Sequence, residues 1–150
     1  MKTFNEFVEE KTPAKAGIVP YYFDENNVFV YLMIPSDPAY GGSSPQIAKG
    51  RVDPGESAQQ TAIREGEEEL GLKPTNIKSI TLGWSGNTQG MLDSHAMVVY
   101  IAEVVNPRDF GKPHYETGWA GWLPAQEALN KCRTSQKHIL QQIINKIMPA

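Results

Sequence analysis

The feature that most constrains the fold of this chain is a glutamate-rich segment with clear signals for the start and the end of a helix. Five charged residues occupy the six positions from Arg64 to Glu69, with Ser57 before them and Gly71 after them. Serine is a favoured N-cap and glycine a favoured C-terminal stop, so the segment predicts a helix over residues 58–70. The chain must therefore fold so that one side of this helix packs while another side carries several carboxylates.

The predicted helix has an acidic side and a small apolar side. Residues three and four positions apart are neighbours on a helix, so Glu65, Glu68 and Glu69 share one side. The other side is small and apolar and can pack against a sheet; its residues are Ala62, Ile63, Gly66 and Leu70. Clustered carboxylates repel one another unless a cation joins them, and Mg²⁺ prefers oxygen ligands. Taken alone, the helix also fits an ordinary solvated charged face, which is the commoner case.

The rest of the chain predicts a single α/β domain. Apolar, β-branched segments predict strands at residues 16–23, 28–34, 46–49, 77–84, 95–105 and 119–123. Helical patterns cover an N-terminal helix within 1–12 and segments 124–131 and 135–147. Residues 35–45, 85–94 and 106–118 are rich in turn-forming residues. Because no repeat or linker interrupts residues 1–150, we expect one domain with a mixed sheet between layers of helices.

Composition limits the classes of partner. The net charge is −3, which gives no global attraction for nucleic acid or an anionic membrane, so a phosphate ligand needs local positive charge. No segment approaches the roughly 20 apolar residues that span a bilayer, and the first residues lack the apolar stretch of a signal peptide. Cys132 is the only cysteine, so no internal disulfide can form. We therefore expect a cytoplasmic protein that does not bind membranes.

The spacing around the glutamates resembles the Nudix box. The pattern is Gly50-x5-Glu56-x7-Arg64-Glu65-x2-Glu68-Glu69-x-Gly71-Leu72, over residues 50–72. Average residue frequencies make a chance match on the order of one in a billion per position, which outweighs the solvated-face interpretation. One position departs from the pattern, because Gly66 stands where an aliphatic residue is expected. That position faces the predicted sheet, so the departure concerns packing and not ligation.

The resemblance implies a Nudix-type α/β/α sandwich and metal-dependent pyrophosphate hydrolysis. Glu65, Glu68 and Glu69 match the metal-binding glutamates, with Mg²⁺ or Mn²⁺ as the cofactor, and Glu65 is also a candidate base. Gly50 matches the loop glycine of the family, and the preceding carbonyl, on Lys49, often completes the metal shell. The flanking residues 45–49 and the N-terminal helix narrow the resemblance to the small Nudix hydrolases of T4-like phages.

Two further residues of the motif have implied supporting roles. Arg64 matches the arginine that orients the glutamates, and it can pair with Glu68 one turn later. Glu56 matches the glutamate near the helix start. The match implies that Glu56 does not bind the metal itself but holds the loop and Arg64 in place beside the metal ligands.

Family members commonly carry a glutamate shortly before a tryptophan-bearing final strand, and Glu116 stands six residues before Trp122. Glu116 is therefore the loop candidate for the general base, with an ordinary exposed loop glutamate as the alternative. Beside the motif, Lys49 and Arg51 are candidates for contacts with phosphate oxygens.

If the substrate is a purine nucleotide, aromatic residues are the candidates for stacking on its base. Tyr40 and Tyr115 lie in the two long loops, at residues 35–45 and 106–118, and are the preferred stacking pair. Trp84, Phe110 and Trp119 are further aromatics, although any one aromatic is more often part of the core.

The resemblance implies hydrolysis of a nucleoside diphosphate linked to another group, with ADP-ribose or diadenosine polyphosphates as substrates that release AMP. One alternative is a nucleotide-sensing binding module, although such proteins usually lack a glutamate of the motif. Another is an RNA 5′-end pyrophosphohydrolase, against which the absence of an evident basic groove argues. The sequence leaves open whether the domain forms a homodimer.

Overall fold

A six-stranded mixed sheet organises the protein, and the structure, a computed structural model, describes residues 13–89 and 94–148. The strands are β1 (Lys15–Asp24), β2 (Asn27–Pro35), β3 (Ala48–Arg51), β4 (Ile77–Gln89), β5 (Ser94–Val104) and β6 (Thr117–Pro124). Their order is β4-β5-β1-β2-β6, and β3 pairs with β1 beside that path. The β1–β5 pair is parallel and the others are antiparallel, so the predicted mixed sheet is confirmed.

Helices cover both faces of the sheet, as the α/β/α prediction requires. Helix α1 (Ala58–Leu70) covers one face, and α2 (Ala125–Lys131) and α3 (Lys137–Ile147) cover the other. Successive strand residues point to opposite faces, so Ile18 packs in the core under α1 while Val19 packs in the core under α2 and α3. None of the helices in the described residues is both long and apolar enough to cross a membrane.

Helix α1 begins and ends where its sequence signals predict. Ser57 and Gln60 form a reciprocal capping box, and Gly71 takes the left-handed conformation, with φ 74°, that ends the helix. The unusual Gly66 is buried, and a Cβ there would lie 2.9 Å from Ile18 Cγ2 and 3.1 Å from Leu72 Cδ2. These two neighbours occupy the space that an aliphatic side chain at this position would need.

Two boundary predictions were wrong. Residues 85–94 were expected to form a turn, but β4 and β5 stay paired from Ser85–Val98 to Gln89–Ser94. Backbone pairing tolerates polar side chains on an exposed ladder, so the polar sequence hid the strand. The strand expected at 46–49 runs instead over β3, and Gln46 forms an isolated bridge with Met33. The helix predicted within 1–12 lies outside the described residues.

Candidate active site

Strand β3 brings its backbone against the acidic side of α1. The Lys49 N–H donates to Glu69 Oε1 at 2.8 Å, so this N–H points away from β1. The N–H and C=O of a strand residue point to the same side, so the Lys49 carbonyl also faces this open edge. The Glu65 carboxylate lies so close to Gly50 that any Cβ there would overlap it, which explains the glycine.

Arg64 joins the loop after β3 to the carboxylates of α1. It donates two hydrogen bonds to Glu56, from Nε to Oε2 at 2.8 Å and from Nη2 to Oε1 at 2.9 Å. Its Nη1 donates to Glu65 Oε1 at 2.9 Å and lies 3.6 Å from Glu68 Oε1. Its Nη2 also donates to the Arg51 carbonyl at 3.1 Å. Arg64 is therefore held from one side by Glu56 and holds two glutamates on the other.

Arg64 only partly offsets the negative charge of the carboxylates on the acidic side of α1. Burial raises the pKa of Glu69 to about 7, although the Lys49 N–H opposes the shift. Burial also raises the pKa of Glu65, and the charge of Glu68 adds to that effect. In contrast, hydrogen bonds from Arg64 lower the pKa of Glu56 to about 2. A cation beside Glu65, Glu68 and Glu69, called here the acidic trio, would therefore stabilise their ionised forms.

The acidic trio offers suitable donors but does not form a closed metal cage. Glu65 is 9% exposed, whereas half of the Glu68 side chain is exposed. In residues 13–89 and 94–148, no three carboxylate, imidazole or thiolate groups are close enough to hold one ion. Glu65 is engaged by Arg64 and Glu69 by the Lys49 N–H, so side-chain rotation would have to bring the trio together. Carboxylates and a carbonyl are the donors that Mg²⁺ and Mn²⁺ prefer, so the residues fit such an ion.

The loop that carries Glu116 is tied to the end of α1. The His114 N–H donates to the Glu68 carbonyl at 2.7 Å, and Thr117 Oγ1 donates to the Glu69 carbonyl at 2.8 Å. Glu116 is exposed, and its negative charge contributes to the raised pKa of Glu69. The structure thus brings this predicted base beside the acidic trio.

The two long loops meet beside the same site. The Ser36 N–H and hydroxyl both donate to the Glu116 carbonyl, at 2.8 and 3.1 Å. Tyr40 and Tyr115 are 76% and 79% exposed, so both rings are accessible to a ligand, although the Tyr115 ring also lies against His114 with centroids 4.2 Å apart. Arg51, the other predicted phosphate contact, is also exposed.

Two of the other aromatic candidates are structural. Trp84 is only 8% exposed and packs edge-on against His138, with ring centroids 5.9 Å apart. Phe110 stacks on Tyr31 at 4.1 Å. Trp119 remains 39% exposed on β6. Burial therefore removes Trp84 from the stacking candidates, and the stacked ring of Phe110 is already used.

Two cations near the site, Lys15 and Arg133, have no signal in the sequence. Both charges act on Lys49, whose pKa is lowered mainly by burial and further by these two neighbours. Lys15 begins β1 and Arg133 follows α2, so no local pattern links them to residues 50–72. Only the folded chain brings them together.

Comparison with known proteins identifies a family. The model of the NUDIX domain matches residues 12–143. An uncharacterized Nudix hydrolase of Rhodococcus erythropolis is 35% identical over 79 residues, 49% of this chain and 43% of that protein. An RNA pyrophosphohydrolase of Pectobacterium carotovorum subsp. carotovorum is 23% identical over 130 residues, 73% of each chain. The aligned region thus spans less than half of the first relative's length.

Solved structures share the fold. The Ap4A hydrolase of C. elegans, in a binary complex, superposes with a TM-score of 0.73 at 21% identity, covering 91% of this chain and 98% of that one. The NUDIX domain of Shewanella oneidensis NrtR, complexed with ADP ribose, gives 0.74 at 14% identity, covering 98% and 100%. At these identities the likeness establishes the architecture alone.

Proposed function

Since the chain belongs to the NUDIX domain family, we propose that it hydrolyses a pyrophosphate bond in a nucleoside diphosphate linked to another group. The observation that carries this proposal is the Arg64 network, which joins Glu56 to Glu65 and approaches Glu68. A purely solvated acidic face would need no such support. Membership in the family and an intact set of motif glutamates favour an enzyme over a nucleotide sensor.

We assign Mg²⁺ or Mn²⁺ as the cofactor, with the acidic trio and the Lys49 carbonyl as its ligands. When bound, such an ion neutralises the diphosphate and lowers the pKa of a coordinated water. The protein's own contribution is orientation, since Arg64 restrains Glu65 and Glu56 restrains Arg64.

Glu116 is the proposed general base. It accepts the proton of the attacking water on its carboxylate, and its exposed position beside Glu69 supports this role. Glu65 is the alternative base, but its Oε1 already accepts a hydrogen bond from Arg64 at 2.9 Å. That bond occupies one carboxylate oxygen and opposes the rise in the pKa of Glu65 that burial causes, so we favour Glu116 as the base.

The proposed substrates are ADP-ribose and diadenosine polyphosphates, with AMP as a product. Tyr40 and Tyr115 stack on the purine, and Lys49 and Arg51 contact phosphate oxygens. We infer a cytoplasmic location from these substrates and from the lone buried thiol of Cys132.

A second candidate is removal of pyrophosphate from RNA 5′ ends. Two curated relatives carry the name RNA pyrophosphohydrolase, one of Pectobacterium carotovorum and one of Pseudoalteromonas atlantica. The second is 47% identical, but over only 47 residues, 30% of this chain and 27% of that protein. The net charge of −3 favours a small nucleotide over RNA.

One assay separates these functions. The protein is incubated with Mg²⁺ and ADP-ribose, diadenosine tetraphosphate or 5′-triphosphorylated RNA, and the products are identified by mass. We expect AMP from the small nucleotides and none from the Glu69→Gln variant. Equal product from wild type and variant would refute the proposal, and product from RNA alone would establish the second candidate.

A further inference from the structure

A group of four cations lies on the sheet face opposite α1, at the edge that borders the acidic trio. In the β1–β3 ladder, Lys15 lies opposite Arg51 and Gly17 lies opposite Lys49. Directly opposed residues, and residues two apart on one strand, share a face of the sheet. A Cβ on Gly17 would lie 3.1 Å from Lys49 Cβ, so this glycine leaves room for the lysine side chain.

Arg133 reaches this face from the segment between α2 and α3. Its N–H donates to the Pro45 carbonyl at 2.8 Å, and its Nη1 lies 3.0 Å from the position that a Cβ on Gly41 would take. Arg133 therefore packs against the loop that leads into β3. Lys15, Lys49, Arg51 and Arg133 are called here the basic cluster.

The basic cluster carries positive charge that no direct ion pair within the described residues neutralises. In the part of the chain that the structure describes, none of its four members forms an ion pair with a carboxylate. Lys15, Lys49 and Arg133 are only partly exposed, so water screens their mutual repulsion incompletely. Such a group attracts a polyanion.

The basic cluster adjoins the acidic trio through Lys49. The backbone N–H of this residue donates to Glu69 Oε1 at 2.8 Å, while its side chain leaves the opposite face of the strand beside Gly17. A phosphate chain that begins at the acidic trio and crosses the open edge of β3 therefore meets the basic cluster next.

We propose that the basic cluster binds the phosphates beyond the bond that is cleaved, so that the enzyme prefers nucleotides with three or more linked phosphates. This inference rests on the proposed function. A dinucleoside tetraphosphate also reaches Lys15 and Arg133, whereas ADP-ribose, with two phosphates, contacts Lys49 and Arg51 and leaves Lys15 and Arg133 without a ligand. Lys15 and Arg133 are thus specificity-determining residues.

The first test compares substrates. The ratio kcat/KM is measured with diadenosine tetraphosphate and with ADP-ribose for wild type, Lys15→Gln and Arg133→Gln. Losing one charge-assisted contact should reduce kcat/KM at least tenfold for the tetraphosphate and less than twofold for ADP-ribose. Lys78→Gln is the matched control, because Lys78 pairs with Glu103, roughly 20 Å along the sheet. Equal losses on both substrates, or no loss, would overturn the inference.

The second test measures binding without turnover. Inorganic tripolyphosphate is titrated by calorimetry, in a chelating buffer, into wild type and the same variants, each checked for folding by circular dichroism. We expect at least tenfold weaker binding in Lys15→Gln and Arg133→Gln and no change in Lys78→Gln. Unchanged affinity in the first two variants would overturn the inference. Weakened binding in a protein that cleaves no nucleotide would support the basic cluster and overturn the proposed hydrolysis.

Discussion

Replacing Gly66 with alanine sets helix propensity against core packing. Alanine stabilises a helix interior by about 1 kcal/mol relative to glycine. Here the new Cβ would lie 2.9 Å from Ile18 Cγ2 and 3.1 Å from Leu72 Cδ2, where ordinary contacts begin at 3.4 Å. Both neighbours are fully buried, and a β-branched side chain such as Ile18 has little rotamer freedom. Overpacking of this kind costs about 1–3 kcal/mol.

The packing term should win, so Gly66→Ala is expected to lower the free energy of unfolding by about 1 kcal/mol, or Tm by roughly 2–4 °C. Urea unfolding measures this change, and Gln59→Ala, on the exposed surface of α1, is the control. Adding Leu72→Val removes one of the close contacts. The double variant should therefore be more stable than the sum of the single effects predicts, by at least about 0.5 kcal/mol.

The same substitution should affect activity. A Cβ at Gly66 pushes α1 away from β1, which displaces Glu65 from Gly50 and Glu69 from the Lys49 N–H. We expect a lower kcat/KM that Leu72→Val partly restores. If Gly66→Ala were instead about 1 kcal/mol more stable than wild type, the space beside Gly66 would be open and close packing would not explain this glycine.

Three further predictions concern carboxylates of the site. Glu68→Gln and Glu69→Gln should each give a folded protein whose kcat falls at least about a hundredfold; near-normal turnover at saturating Mg²⁺ would show that the ligands are wrongly assigned. Glu116→Gln should lower kcat by about 10²-fold or more with less effect on metal affinity, and an unchanged dependence of kcat on pH would exclude it as the base. Arg64 lowers the pKa of Glu56 from 4.5 to about 2, so the Glu56 carboxylate stabilises the fold above pH 4.5 and loses this effect as pH falls through about 2. The difference in free energy of unfolding between wild type and Glu56→Gln, measured in urea, should therefore shrink as pH falls from 4.5 to about 2. A constant difference would contradict this role of Glu56.

Local signals predicted the local parts of the fold. The Ser57 cap and the Gly71 stop fix α1 through contacts within a few residues, so its bounds followed from the sequence. The apolar strand segments were also found, because their side chains pack in the two cores on either side of the sheet. The extension of β4 beyond Trp84 was missed, since its pairing with β5 depends on backbone hydrogen bonds and not on apolar side chains.

The candidate site likewise has one part that local sequence predicts and another part that depends on tertiary packing. The acidic trio and Arg64 come from one helix, so helical geometry groups them without knowledge of the fold. The approach of Arg133 to Lys49 depends on the packing of the segment after α2 against the loop before β3, which no spacing encodes. Position in a long loop already favoured Tyr40 over Trp84, but the burial of the Trp84 ring is a tertiary property that the sequence pattern did not give.

The proposed function depends on Glu65, Glu68 and Glu69 holding a divalent ion together. Electron paramagnetic resonance of free Mn²⁺, titrated with the protein, measures that binding without any substrate. We expect wild type to bind Mn²⁺ and folded Glu69→Gln to bind it at least about a hundredfold more weakly. Equal Mn²⁺ affinities in the two proteins would contradict the assignment of these glutamates as metal ligands.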